Sequence, residues 1–143
     1  MEPLSLDQAA HIVDAALAKG RELDLHPLTV AVLDHGGALV ACKRENGSGL
    51  LRPDIAQAKA WGVLGMGIGG RALAARAATA PAFFDALTAI SGGRIAPVPG
   101  GVLIRDAERH VLGAVGISGD TSDNDEICAL AAVESAGLTP DAG

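Results

Sequence analysis

The stretch Pro97–Glu126 constrains the fold more than any other part of the chain. Two apolar runs, Val102–Ile104 and Val111–Ile117, lie on either side of a polar turn, which is typical of a β-hairpin. The loop Ser118–Asp120 follows the second run, and an acidic helix start comes directly after it. A strand that leads into a glycine loop and a helix N-terminus brings backbone N–H groups together, so this corner is a candidate ligand site.

A second hairpin is predicted nearer the N-terminus. The apolar runs Leu28–Leu33 and Ala38–Lys43 flank a turn that contains Gly36 and Gly37, which can take a positive φ. Strands that are joined by tight turns pair antiparallel. We therefore expect an α/β (α+β) fold in which helices flank an antiparallel sheet.

Helices are predicted before, between and after the hairpins. Ser5 and Gln8 form a capping box for the first helix. Four glycines between positions 65 and 70 predict a bend or a close backbone contact after the middle helix. The two ends of the chain, 1–4 and 139–143, are expected to be frayed. The predicted helices are Leu6 to about Gly20 or a little past it, Pro53 to about Leu64, Ala72–Ala80, Pro81 to about Ser91, and a last one capped by Ser122 and ended by Gly137.

Composition bounds the class of protein. With 143 residues, the chain is expected to form a single domain over 1–143. Apolar residues make up 49% of it and aromatic residues only 2%, so alanine and glycine must supply much of the core and backbones must approach closely. Because small residues bury little area each, we expect subunit contacts, and hence a homo-oligomer, to complete the burial.

The net charge and the lack of a long apolar span argue against nucleic-acid and membrane partners. A net charge of −6 and so few aromatic side chains argue against nucleic acid as a partner. The sequence carries no signal-peptide pattern and no long apolar span, so we expect a cytoplasmic protein with no membrane partner. Cys42 and Cys128 lie far apart and lack Cys-x-x-Cys spacing, which predicts reduced thiols of the core type.

The middle helix carries a candidate anion site. Arg52 and Lys59 are two helical turns apart and therefore face similar sides of the helix. A basic pair near a helix start can hold a carboxylate, and an arginine can do so with two hydrogen bonds. The alternative is a solvated helix face on which Arg52 pairs with a residue such as Asp54.

Four acidic residues crowd the start of the last helix: Asp120, Asp123, Asp125 and Glu126. Capping and helix-dipole interactions explain most of them. Mutual repulsion raises carboxyl pKa values, and a raised carboxyl can act as a general acid or base. Asp120 and Glu126 are therefore the candidate catalytic residues. A cation could also relieve the crowding, although the spacing is not that of an EF-hand loop.

Three other features of the sequence give only weak evidence for a metal, nucleotide or hydrolase site. They are the histidines, the glycines of 65–70 and Ser118. No pair of histidines has metal-ligand spacing, so no metal site is predicted, although a single histidine can still ligate a haem iron. His35 and His110 fall in the two hairpin turns and are expected to be exposed. The glycines of 65–70 follow a helix rather than a strand, which argues against a dinucleotide site. Ser118 lacks the Gly-x-Ser-x-Gly context of a hydrolase nucleophile.

Five segments resemble the GlcG/HbpS family, also described as haem-degrading HbpS-like or DUF336. The resemblance covers nearly the whole chain, and its C-terminal block is the most specific part. The segments are Asp34–Val40, Arg52–Ala60, Pro99–Val102, Leu112–Gly119 and Asp125–Glu126. The family pattern is broken between Trp61 and Gly67, which indicates a subgroup with its own ligand.

The resemblance implies a profilin-like, three-layer α/β/α sandwich with a five-stranded antiparallel sheet. It also implies oligomers, since members of the family often assemble into dimers or larger rings. Some members bind haem and some are reported to degrade it, while others lie in glycolate, propanediol or aromatic catabolism. Haem or a related tetrapyrrole is therefore the candidate ligand and cofactor.

Two hypotheses follow for the function. The first is a small protein of GlcG/HbpS type that binds haem or another small ligand. The second is a cofactor-free enzyme, of the isomerase, tautomerase or deaminase type, that acts on a small carboxylate intermediate of aromatic or glycolate catabolism. In both, the corner after the second hairpin should open onto a cavity beside the middle helix. The expected ligand-binding residues are Arg52, Lys59, Gly100, Gly101, Ser118 and Gly119.

Overall fold

The computed structural model describes residues 2–143 and has five helices and five strands there. The helices are α1 (Leu6–Glu22), α2 (Arg52–Met66), α3 (Gly70–Thr79), α4 (Pro81–Ile90) and α5 (Ser122–Ser135). The strands are β1 (Thr29–Asp34), β2 (Leu39–Arg44), β3 (Gly101–Arg105), β4 (Val111–Ser118) and β5 (Thr139–Asp141). Both predicted hairpins and all the predicted helical regions are present, so the expected mixed α/β fold is confirmed.

The strands form one antiparallel sheet in the order β2-β1-β4-β3-β5. The central strand, β4, joins the two hairpins by pairing with both β1 and β3. Its last residue, Ser118, lies opposite Thr29, the first residue of β1. The candidate corner therefore lies at one end of the centre of the sheet, where a loop joins β4 to α5.

Helices cover both faces of the sheet and make the expected three layers. Helices α1 and α5 pack on one face, against residues such as Val102 and Ile104. Helices α2, α3 and α4 pack on the other, against residues such as Leu103 and Ala114. The alternation along β3 separates the two cores, because successive side chains of a strand point to opposite faces of its sheet.

Glycines let α2 lie directly on the strands. A Cβ atom at Gly116 would collide with the carbonyl oxygen of Ala56, and one at Gly101 would collide with that of Lys59. These two glycines face each other on β4 and β3. The small-residue composition predicts a close approach of backbones, and the structure has it between α2 and the middle of the sheet.

Three predictions about helix and chain ends are corrected. The side chain of Thr121, not Ser122, caps α5 by accepting a hydrogen bond from the backbone N–H of Asn124 at 3.2 Å. Residues Thr139–Asp141 are not frayed, because they pair with β3 as the fifth strand. Leu4 is buried rather than frayed, whereas Met1 lies outside the described residues. The predicted bend is confirmed at Gly67, which ends α2 with a φ of 71°.

The two cysteines differ in their surroundings. Cys128 is buried on α5, as expected, and both thiols are free. Cys42 is exposed, so its predicted place in the core is wrong. It belongs to β2, an edge strand whose residues are half-buried or exposed. Within 2–143, none of the helices is both long and apolar enough to span a bilayer.

Candidate functional site

A buried ion pair lies at the corner where a loop joins β4 to α5. The Nζ atom of Lys59 lies 3.1 Å from the Oδ2 atom of Asp125, and the two side chains are only 3% and 1% exposed. Lys59 belongs to α2 and Asp125 to α5, so the pair joins helices from opposite sides of the sheet. Gly100 makes room for it, since a Cβ atom there would lie 2.8 Å from the lysine Nζ.

Burial opposes the charge on both partners. Desolvation lowers the pKa of Lys59, and the Asp125 carboxylate beside it offsets part of this effect. Desolvation likewise raises the pKa of Asp125, against the charge and hydrogen bond of Lys59. The backbone N–H of Asp120 also donates to Asp125 Oδ1 at 3.1 Å, so both carboxylate oxygens have partners. Each charge therefore depends on the other group for its stability in the interior.

Arg52 points toward the same corner. Its Nη1 atom donates a hydrogen bond to the buried Ser118 Oγ at 3.1 Å, and the guanidinium is near enough to contribute to the lowered pKa of Lys59. The structure thus brings Arg52 and Lys59 together, as their spacing predicts. Arg52 is half-buried and donates to Ser118. It therefore does not lie on a fully solvated helix face as a partner of Asp54, which was the alternative interpretation.

The cavity that we expected at this corner is filled. Lys59, Ser118 and Asp125 are buried there, and Gly100 and Gly101 pack against Lys59. The expected ligand space beside α2 therefore holds protein side chains. Partial exposure remains at the half-buried Arg52 and Gly119.

Asp120 does not have the raised pKa that crowding predicts. Its carboxylate accepts hydrogen bonds from Asn124 Nδ2 at 2.7 Å, from the His26 N–H at 3.0 Å and from the Thr121 N–H at 2.8 Å. Led by the Asn124 bond, these donors lower the pKa of Asp120 to about 2. The prediction of a raised pKa for Asp120 is wrong, because its hydrogen-bond donors stabilise the charged carboxylate and outweigh the effect of desolvation. Asp120 fastens the loop before β1 to the start of α5.

Glu126 is held by an arginine that the sequence does not single out. The Nε atom of Arg71 donates to both Glu126 oxygens, at 3.2 and 3.1 Å, and Nη2 donates to Glu126 Oε1 at 3.0 Å. The same Nη2 also donates to Asp123 at 2.7 Å. No local pattern signals this contact, because Arg71 lies 55 positions from Glu126. The acidic start of α5 is thus neutralised by α3, as well as by Lys59 of α2.

An open groove lies elsewhere on α2, beside Trp61, and we call it the Trp61 groove. It has a larger lobe of about 470 Å³ and a smaller lobe of about 150 Å³, which share Gly37 and Trp61. The guanidinium of Arg94 lies 4.2 Å from the centre of the Trp61 ring, which is a cation–π contact. The remaining lining residues are His35, Gly36, Asp54, Gln57, Ala58, Leu64, Gly65 and Gly93.

The two turn histidines are exposed, as predicted, and have different neighbours. His35 lies at the edge of the Trp61 groove, in the β1–β2 turn. His110 lies in the β3–β4 turn, where its Nδ1 atom is 3.0 Å from Asp106 Oδ2. The groove residues around His35 are glycines, Trp61 and Leu64, whereas Asp106 and Glu108 lie beside His110.

The fold defines a class of protein: three-layer α/β/α domains with a five-stranded antiparallel sheet. Within that class, the family profile described as "Haem degrading protein HbpS-like" matches residues 4–134. The chain therefore belongs to the HbpS-like family, and the resemblance seen in the sequence is confirmed. A search of the curated proteins gave no match to this chain.

Several solved structures share the whole fold. The PduOC:heme complex is 22% identical, with a TM-score of 0.86, and the alignment covers 96% of this chain and 97% of that one. The DUF336 protein ORFY of Klebsiella pneumoniae is 24% identical, with a TM-score of 0.86 and coverages of 96% and 92%. A double mutant of Streptomyces reticuli HbpS is 26% identical, with a TM-score of 0.80 and coverages of 94% and 88%.

Proposed function

We propose that this protein binds haem or a related tetrapyrrole in the Trp61 groove. The observation that carries the proposal is the combination of residues along that groove. The exposed imidazole of His35 lies at the smaller lobe, Trp61 and Leu64 supply apolar surface, and the Arg94 guanidinium lies at the larger lobe. The family description and the heme named in the PduOC complex support the same class of ligand.

The residues of the groove fit the chemistry of the ligand. The imidazole of His35 would hold the haem iron, since histidine nitrogen is a common protein ligand of haem. The ring system needs an apolar surface, which Trp61 and Leu64 offer, and the two lobes of the groove together fall within the usual range for ligand sites, about 300–1,000 Å³. Arg94 would pair with a propionate carboxylate. Bound haem would supply a redox-active iron.

The acidic surroundings of His110 favour it less as the haem ligand. Asp106 and Glu108 lie beside it, and carboxylates repel the propionates of haem. A cytoplasmic location and assembly into a homo-oligomer belong to the same proposal. The small-residue composition supports the assembly.

A haemin titration tests this proposal. The Soret band of haemin should shift and saturate at one equivalent of protein. His35→Ala should weaken the apparent affinity at least tenfold, whereas the matched variants His110→Ala and His11→Ala should bind like the parent chain. A Soret shift that needs His110 but not His35 would move the site away from the Trp61 groove, and the absence of a saturable shift would remove haem as the ligand.

A second candidate function is that of a cofactor-free enzyme on a small carboxylate, at Arg52. One observation favours it: Asp125 neutralises Lys59, which leaves the half-buried Arg52 as a cation beside the neutral Ser118 hydroxyl. Arg52 would anchor the carboxylate. Asp120 is poorly suited to carry a proton, and Glu126 would have to leave Arg71 before it could do so.

Chemical-shift mapping with glycolate and muconate tests the second candidate. Saturable shifts should centre on Ser118 and Gly119 and should disappear in Arg52→Ala while persisting in Arg52→Lys, which keeps the charge. Arg109→Ala is the matched control, because this arginine is exposed on the β3–β4 turn. Shifts that persist in Arg52→Ala would remove Arg52 from the site.

A further inference from the structure

The β3–β4 turn holds three potential metal ligands close together. We propose that Asp106, Glu108 and His110, here called the hairpin cluster, bind a divalent transition-metal ion of the Zn²⁺ type. One carboxylate oxygen from each acid and one imidazole nitrogen all lie within 4.8 Å of one another. The spacing of histidines along the sequence predicts no metal site, because the ligands of a turn follow neither a helical nor a finger-like spacing.

Hydrogen bonds within the turn hold two of the ligands in place. The backbone N–H of His110 donates to Asp106 Oδ1 at 2.8 Å, and the backbone N–H of Asp106 donates to the carbonyl oxygen of His110 at 3.1 Å. Asp106 and His110 thus face each other across the neck of the turn. The ring nitrogen Nδ1 of His110 is already 3.0 Å from Asp106 Oδ2. Glu108 lies between them in sequence, at the exposed tip.

The donor set fits the proposed ion. Zinc binds imidazole nitrogen and carboxylate oxygen at about 2.0–2.2 Å, so the ligand atoms around one ion are about 3–4 Å apart. The ligand atoms of the hairpin cluster must move closer than their present separations of up to 4.8 Å to reach that spacing, and Glu108 and His110 are exposed and free to move. Two carboxylates also balance the charge of a divalent ion. A mixed nitrogen and oxygen set disfavours copper(I), which prefers sulfur ligands.

A cavity adjoins the cluster. Its volume is about 690 Å³, and the three cluster residues line it together with Glu2, Gln8 and Leu112. Three protein ligands leave a coordination position open, as in zinc sites that bind an exchangeable molecule. That position would face the cavity. Glu2 adds negative charge at the opening, which attracts a cation.

The proposed site is separate from the Trp61 groove. Gln8 belongs to α1 and Leu112 packs in the core under α1 and α5. Trp61 packs against the core on the opposite face of the sheet. Metal binding at the hairpin cluster and tetrapyrrole binding at His35 can therefore be tested independently.

Calorimetric titration with Zn²⁺, and absorption spectra with Co²⁺ as a visible substitute, test the proposal on the full chain. One equivalent of Zn²⁺ should bind, and Co²⁺ should give d–d bands. His110→Ala and Glu108→Gln should each weaken Zn²⁺ binding at least tenfold. His11→Ala, which removes an exposed histidine of α1, should bind like the parent chain.

Folding of the variants is checked by their thermal unfolding, which should match that of the parent chain because Glu108 and His110 are exposed. Absence of Zn²⁺ binding by the parent chain at ten equivalents would overturn the proposal. Equal binding by the parent chain, His110→Ala and Glu108→Gln would overturn it as well, because the ion would then lie elsewhere.

Discussion

Lys59 of α2 and Asp125 of α5 form an ion pair that is almost fully buried and connects the helical layers on the two faces of the sheet. The pair lies at the corner where the family resemblance and the loop chemistry both suggested a ligand. Its burial indicates that this corner holds the layers together, while the open groove on the same helix lies beside Trp61.

Removing one partner of the pair should strongly destabilise the fold. Lys59→Ala leaves the Asp125 carboxylate buried without its cation, which typically costs about 3–5 kcal/mol. Urea unfolding measures this loss. The double variant Lys59→Met with Asp125→Leu should recover most of the stability, because it removes both charges and keeps the volume filled. A double variant as unstable as Lys59→Ala would show that the pair is not the reason for the loss.

A side chain at Gly100 should destabilise the fold. The φ of this glycine is 113°, and an added Cβ atom would lie 2.8 Å from Lys59 Nζ. Gly100→Ala should therefore cost about 1–3 kcal/mol from backbone strain, and displacement of the lysine should add to this cost. Gly92→Ala is the matched control, since its φ is 66° and its added Cβ atom would have nothing within 4 Å. Equal losses in the two variants would show that crowding against Lys59 contributes nothing.

Asp120 should make the protein sensitive to acid. Its pKa is lowered from an ordinary value of 3.8 to about 2 in the folded state. A lowered pKa stabilises the fold above the unfolded value, and this stabilisation is lost as the pH falls from about 4 toward 2. Asp120→Asn should flatten that part of the profile of thermal unfolding against pH. The same slope in the variant and the parent chain would assign the acid sensitivity to other groups.

The helices and hairpins could be predicted because their signals are local. The capping box at Ser5 and the apolar runs along β1 and β4 depend only on neighbouring residues. Strand β5 could not be found in this way, because it has three residues and contains Pro140. Its pairing depends on the neighbouring edge of β3, where Arg105 forms an ion pair with Asp141 at 2.9 Å.

The candidate site was predictable in part for the same reason. Helical spacing places Arg52 and Lys59 on one side of α2, and the structure brings both to the corner. The acids that face these cations could not be assigned, since Lys59 meets Asp125 across 66 positions of the chain. Because the sequence does not show which acids pair with these cations, it predicts an open ligand site where the structure has a buried corner. The Trp61 groove was missed because His35, Trp61 and Arg94 meet only in the folded chain.

The central claim is that a tetrapyrrole binds beside Trp61, and nuclear magnetic resonance can test it directly. Trp61 is the only tryptophan of the chain, so its indole N–H gives a single signal. We predict that diamagnetic zinc protoporphyrin shifts this signal through its ring current, with saturation at one equivalent, and that His35→Ala raises the concentration needed for the shift at least tenfold. An indole signal that stays in place while the Soret band shows saturated binding would contradict the account.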